Sequence, residues 1–274
     1  MMRSRRDLLG SGAAFLVSRS AWGQAAAIDF SKYTDAQREE LLLKGEISSV
    51  ADIGHGVTKP VKAKLKLGDA IHSCQIQRVS SELPPFFGSD NKPVPSFDSW
   101  KYNVAAYKLD RLLKMNMVAV AVERPYQGKP GAFSWWVDDV MFEEAERVKK
   151  EISAPNPEAY DRQRAVTYVF DELIMNIDRN LANLLITKSW DLALIDHSRA
   201  FAAYHGIRNK ANLKRCSKAL MATMKALTPV SVAGVVGKTL TAAEIQALLA
   251  RRDLIVKFFE DKAKEPGSEN VLFG

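Results

Sequence analysis

Asp178, Asn183 and Asp196 have the types and spacing that suit chemistry on a phosphate. Asp178 closes an apolar helical run of Val166, Val169, Phe170, Leu173 and Ile174. Asn183 follows five residues later, and Leu184-Leu185-Ile186 with Leu192-Ala193-Leu194-Ile195 reads as a short hairpin that returns Asp196 to the same place. Two carboxylates and an amide are hard oxygen donors, a set that holds Mg2+ or Mn2+. Phosphoryl transfer needs little covalent help and much charge neutralisation, so Asn183 and Asp196 can bind metal while Asp178 orients or deprotonates a hydroxyl. The same acids could act on water in a metal-dependent phosphohydrolase, but no further carboxylate or histidine ligands accompany them. For Asp178 alone, a turn that merely caps a helix reads as well. The hairpin and Asp196 argue against that plainer reading.

The spacing from Asp178 to Asn183 equals that from Asp to Asn in the protein-kinase catalytic loop. Asp196, however, precedes His197 and Ser198 instead of Phe and Gly. The loop resembles the atypical branch of the superfamily: phosphatidylinositol kinases, HipA-type kinases and Golgi casein kinases. Ile195-Asp196-His197-Ser198-Arg199-Ala200-Phe201 is similar to the Golgi casein kinase segment Leu-Asp-Asn-Gly-Arg-Gly-Phe. Asn103-Val104-Ala105-Ala106-Tyr107-Lys108-Leu109-Asp110-Arg111-Leu112-Leu113 is similar to their helix Glu-Ile-Ala-Ala-Phe-x-Leu-Asp-Arg-Ile-Leu.

The resemblance covers about residues 50 to 205. It implies an α+β, two-lobed kinase-like fold with a small β-rich N-lobe, about 46–137, and a helical C-lobe, about 138–262, before a polar tail, 263–274. It further implies ATP with Mg2+ or Mn2+ between the lobes and a hydroxyl acceptor on a protein, lipid or small molecule. Some relatives with an altered lysine transfer AMP, so nucleotidyl transfer belongs to the same expectation.

The chain departs from the family at the ATP-binding ion pair. The helix glutamate falls at Asn103, and the strand lysine falls at Gln77. A matched loss differs from decay, because two amides can hydrogen-bond while one stranded buried charge is costly. A pseudokinase that binds nucleotide or protein without turnover is therefore the alternative to an enzyme. If Gly54 and Gly56 align with the kinase glycine loop, the resemblance implies Val61 over the adenine, with Lys62, Lys64 and Lys66 pointing away from the nucleotide. Lys59 in that turn and Arg78 beside Gln77 are candidates to replace the lysine.

The supporting elements are legible around these residues. Thr34 and Gln37 make a capping box for a helix that ends at Lys44-Gly45. Strands follow at 62–67 and 71–79, turning at Gly68-Asp69. Residues 81–97, with four prolines, read as a loop before a helix capped by Asp98 or Ser99. Gly128 to Gly131 is a turn, and 132–138 is a strand into the inter-lobe hinge, where Trp135 or Trp136 could line an adenine pocket. Glu143, Glu144, Glu146, Lys149 and Lys150 form a charged, solvated helical face. Asn156-Pro157 starts the helix that delivers Asp178. Later helices are expected at about 209–226 and 241–262.

Ser4-Arg5-Arg6-Asp7-Leu8-Leu9 and the small, modestly apolar residues after it resemble a twin-arginine export signal spanning 1–26. That implies a bacterial protein passed folded through the twin-arginine machinery to the periplasm, a compartment with no expected ATP pool. The formal charge of +7 falls to about +4 without this arginine-rich leader. No dense basic patch interleaves with aromatics, so nucleic-acid binding is not indicated. The two cysteines, Cys74 and Cys216, are expected as buried thiols on a strand and a late helix.

Overall fold

A computed structural model describes residues 28–54 and 60–274 of the chain. The export-signal segment, Gly56 and Lys59 lie outside the described residues. Thr34 and Gln37 cap each other's backbone N–H groups, and α1 (Asp35–Lys44) runs to Gly45. β1 (Glu46–Asp52), β2 (Val61–Leu67) and β3 (Ala70–Gln77) follow. A hairpin, β4 (Ser80–Phe87) and β5 (Pro93–Ser99), then leads into α2 (Trp100–Leu112). With β6 (Ala121–Tyr126) and β7 (Lys129–Trp135), the first three strands form an antiparallel sheet of order β1-β2-β3-β7-β6.

Alternation along β2 and β3 builds the inner face of this sheet. Ala63 pairs with Cys74 and Leu65 with His72, and all four are buried. Ala63, Leu65 and Cys74 share a hydrophobic core with Leu41 and Leu42 of α1 and with Ala105, Ala106 and Leu109 of α2. Asp110 explains the Leu-Asp-Arg run in α2. It is fully buried and accepts the backbone N–H groups of Met117 and Val118 at 3.0 and 3.2 Å, fixing the turn that feeds β6.

The second half is helical around two small sheets. β8 (Val140–Glu143) and α3 (Glu144–Lys149) precede α4 (Pro157–Leu173), which Asn156 caps by accepting the Ala159 N–H. β9 (Leu184–Thr187) and β10 (Leu192–Leu194) form the hairpin below α4 and join β8 in a three-stranded sheet. β11 (Cys216–Ser217), α5 (Lys218–Ala226), α6 (Pro229–Val236), α7 (Ala242–Lys262) and β12 (Leu272–Phe273) complete the chain. The sheet-rich first part and helical second part make the α+β architecture that the sequence implies.

Four local expectations change. Residues 81–97 form the β4–β5 hairpin instead of a loop, because a two-stranded ribbon has free edges that accommodate prolines, and Pro84 and Pro85 fall at its irregularity. The expected helix at 209–226 is shorter: Cys216-Ser217 pairs in parallel with Leu272-Phe273, so the helix starts only at Lys218, capped by Ser217. The tail is correspondingly anchored, with Val271 buried. Glu144 is fully buried in place of being solvated, since Arg147 and Tyr160 both donate to it. Cys74 and Cys216 are buried and unpaired, and burial pushes both thiols up to about 12.

Candidate active site

Arg179, next to Asp178, organises the loop after α4. Its guanidinium pairs with the buried Asp171 of α4 at 2.9 and 3.0 Å. It also donates to the carbonyls of Asn183 and Ile195 at 3.1 and 3.0 Å, and to His197 Nε2 at 2.8 Å. Asn176 completes the anchor by donating to Asp171 at 2.9 Å. A planar, five-donor cation is suited to holding several acceptors at fixed angles. The β9–β10 hairpin closes the arrangement: Leu184 pairs with Leu194, and Ile195 N–H donates to the Asn183 carbonyl at 3.2 Å. Asn183 and Asp196 are thus set side by side.

Asp196 has φ of +50°, a left-handed conformation that Asp tolerates better than most residues. One of its carboxylate oxygens, Oδ1, is buried without a hydrogen-bond partner. An orphaned carboxylate oxygen beside an amide is a donor set that fits a hard divalent cation, and Asn183 and Asp196 would hold it. Asp178 differs in environment. Its side chain is 47 % exposed, its backbone N–H donates to Asn176 Oδ1 at 3.2 Å, and Arg199 donates to its carboxylate at 3.1 Å. His197 is fully buried, and desolvation together with the Arg179 charge holds its pKa well below the usual value. It is therefore a neutral acceptor for Arg179.

Asp178, Asn183, Asp196 and Asn103 all line one cleft of about 750 Å³ between the sheet and the helical region. Asn103 reaches it from α2, donating to Gln77 Oε1 on β3 at 2.5 Å and accepting the His197 backbone N–H at 2.8 Å. The two amides expected at ion-pair positions are therefore bonded to each other. Gln77 borders the cleft through Asn103, while Gln75 lines it directly. Ile53 and Pro60 line it on either side of the glycine turn, whereas Gly54, with φ of +76°, is not among the lining residues.

On β2 the face towards the cleft is the opposite of the one expected. Lys62, Gln75, Ser134 and Ala121 are paired across β2, β3, β7 and β6, so they share one face. Gln75, Ser134 and Ala121 line the cleft, and Lys62 Nζ lies 3.7 Å from the centroid of Trp136, another lining residue. Val61 falls on the other face with Ala63 and Leu65, packed against the core. Alternation fixes which residues share a face but not which face meets the cleft, and pairing with β3 decides it. Arg78 bonds the Tyr126 carbonyl at 3.2 Å and packs on the Tyr126 ring, away from the cleft lining.

Two site residues had no assigned chemistry in the sequence. Asp98, read only as a helix cap, is almost fully buried in the cleft wall, and Arg199 pairs with it at 2.8 Å. Ser99 N–H donates to the Ser198 carbonyl at 2.7 Å, which brings the start of α2 against the segment after Asp196. The only prior signal was the arginine in the resemblance pattern.

No protein-family profile and no curated sequence matches the chain. Solved structures do. Hydra Fam20, determined with sugar, superposes with a TM-score of 0.65 at 15 % identity, over 88 % of this chain and 93 % of its own. A Golgi casein kinase gives 0.59 at 14 % identity, over 88 % and 78 %. The Golgi casein kinase with Mn/ADP bound gives 0.58 at 13 % identity, over 88 % and 79 %. At these identities the likeness speaks for the fold: the chain has the α+β, kinase-like fold of these proteins.

Proposed function

We propose that this chain is an atypical kinase-like phosphotransferase, binding Mg-ATP or Mn-ATP in the cleft and transferring a phosphoryl or nucleotidyl group to a hydroxyl. The observation that carries this reading is the convergence of Asp178, Asn183 and Asp196 on one cleft, with one Asp196 oxygen buried and without a hydrogen-bond partner. A fold neighbour that holds Mn and ADP supports it.

Asn183 and Asp196 would hold the metal, which when bound would supply charge neutralisation on the phosphates. Asp178, exposed and held by Arg199, takes the acceptor hydroxyl proton as the new oxygen–phosphorus bond forms and the bond to the leaving phosphate breaks. Incubation with labelled ATP, Mn2+ and candidate protein, lipid or sugar acceptors tests the reading. Label transfer that disappears in Asp178→Asn, with melting temperature retained, is the expected result.

A second reading, a binding module without turnover, is favoured by one observation: the Gln77–Asn103 pair is neutral. Nucleotide binding with no label transfer to any acceptor, and unchanged function in Asp178→Asn, would establish it. Export through the twin-arginine machinery to the periplasm rests on residues 1–26 of the sequence. Substitution of both Arg5 and Arg6 by Lys should retain the protein in the cytoplasmic fraction.

A further inference from the structure

We infer that Asp98 and Arg199 form a relocated ion pair, in which Arg199 is the phosphate-binding cation that Gln77 cannot be. The inference rests on the nucleotide reading above and names the residue that meets the phosphates. In protein kinases a strand lysine, paired with a helix glutamate, reaches the nucleotide phosphates. Here those positions are Gln77 and Asn103, bonded to each other and uncharged. A polyphosphate still needs a fixed positive charge beyond the metal.

Among the described residues that line the cleft, Arg199 is the one charged base, in a lining that also holds Asp98, Asp178, Asp196, Glu143 and Glu146. Its Nε donates to Asp98 Oδ2 at 2.8 Å and its Nη1 to Asp178 Oδ2 at 3.1 Å. Asp98 is buried to all but 2 %, and its Oδ1 has no hydrogen-bond partner. Arg199 is the one side chain bonded to this buried carboxyl group among the described residues. Asp98 therefore fixes one edge of the guanidinium. The Arg199 side chain remains 27 % exposed towards the cleft, and a guanidinium carries five N–H donors, of which these bonds use two. The free donors match the bidentate geometry of phosphate oxygens.

Asp98 lies five residues before Asn103, where β5 enters α2, and Arg199 lies three after Asp196. The pair therefore joins the α2 region to the metal loop, as the usual pair joins helix to strand. The Ser99–Ser198 backbone bond holds the two segments together independently of the side chains.

Calorimetric titration of the full chain, in Mn2+, with ADP and with adenosine separates phosphate recognition from base recognition. The expected result is that Arg199→Gln weakens ADP by about 10- to 100-fold and leaves adenosine unchanged. Asp98→Asn, which frees the anchor, should weaken ADP in the same selective way, and Arg199→Lys should recover part of the affinity. Ligand-free melting temperatures identify any variant that fails to fold. Should Arg199→Gln be one, Arg199→Lys and Asp98→Asn decide, since wild-type ADP affinity in both overturns the inference. Wild-type ADP affinity in Arg199→Gln would overturn it while the nucleotide reading stands. Absence of ADP binding by the wild type would overturn both.

Discussion

Asn103 donates to Gln77 at 2.5 Å and accepts from the His197 backbone at 2.8 Å, so one amide on α2 links the sheet to the residue after Asp196. The couple is a neutral hydrogen-bonded link between β3 and α2. Gln77→Lys or Asn103→Glu alone would bury a charge without its partner and should cost about 3 kcal/mol of stability. The double substitution recreates the pair and should recover much of that loss. Urea unfolding of both single variants and the double variant measures the coupling, and strictly additive losses would contradict it.

Arg179 makes contacts to Asp171, His197 and the carbonyls of Asn183 and Ile195. Arg179→Lys keeps the charge but cannot span these acceptors. It should lower stability by about 2–4 kcal/mol and abolish metal-dependent nucleotide binding even where the protein remains folded. Wild-type metal dependence in this variant would show that the loop is held by the hairpin alone.

The pH dependence of stability should report His197. Burial and Arg179 depress its pKa, so the folded state keeps it neutral while the unfolded chain protonates it near its ordinary value. Below about pH 6.5 the unfolded state then binds the extra proton, and stability falls as pH falls. The contribution is about 1.4 kcal/mol per pH unit until the folded pKa is reached. His197→Gln, which can still accept from Arg179, should flatten the profile between pH 7 and 5.5. An equally steep profile in the variant would assign the dependence to other groups.

The grouping of Asp178, Asn183 and Asp196 in one cleft was legible because they are close in sequence. Asp178 lies in the loop after α4, and Asn183 and Asp196 flank the β9–β10 hairpin, so local patterning brings them together. The Gln77–Asn103 contact was readable because two elements with strong periodicity bracket it. Asp98 and Arg199 were not, since their partnership joins residues 101 positions apart and neither stands out by type. Val61 and Lys62 show the same limit in a strand. Period-two alternation groups Val61 with Ala63 and Leu65, but only pairing of Lys62 with Gln75 and Gln75 with Ser134 reveals which group meets the cleft. The prolines of 81–97 suggested a loop, because their tolerance in a free-edged ribbon depends on tertiary placement.

The most direct test of the central claim is a thermal-shift titration with ADP and ATP, with and without Mn2+, of the wild type and Asp196→Ala. At ligand about 100-fold above Kd, a site present only in the folded state should raise the melting temperature by about 5 °C or more. The account predicts such a shift for the wild type, dependent on metal and lost in Asp196→Ala. An equal shift in the variant, or no shift in the wild type with either nucleotide, would contradict a metal-nucleotide site built on Asn183 and Asp196.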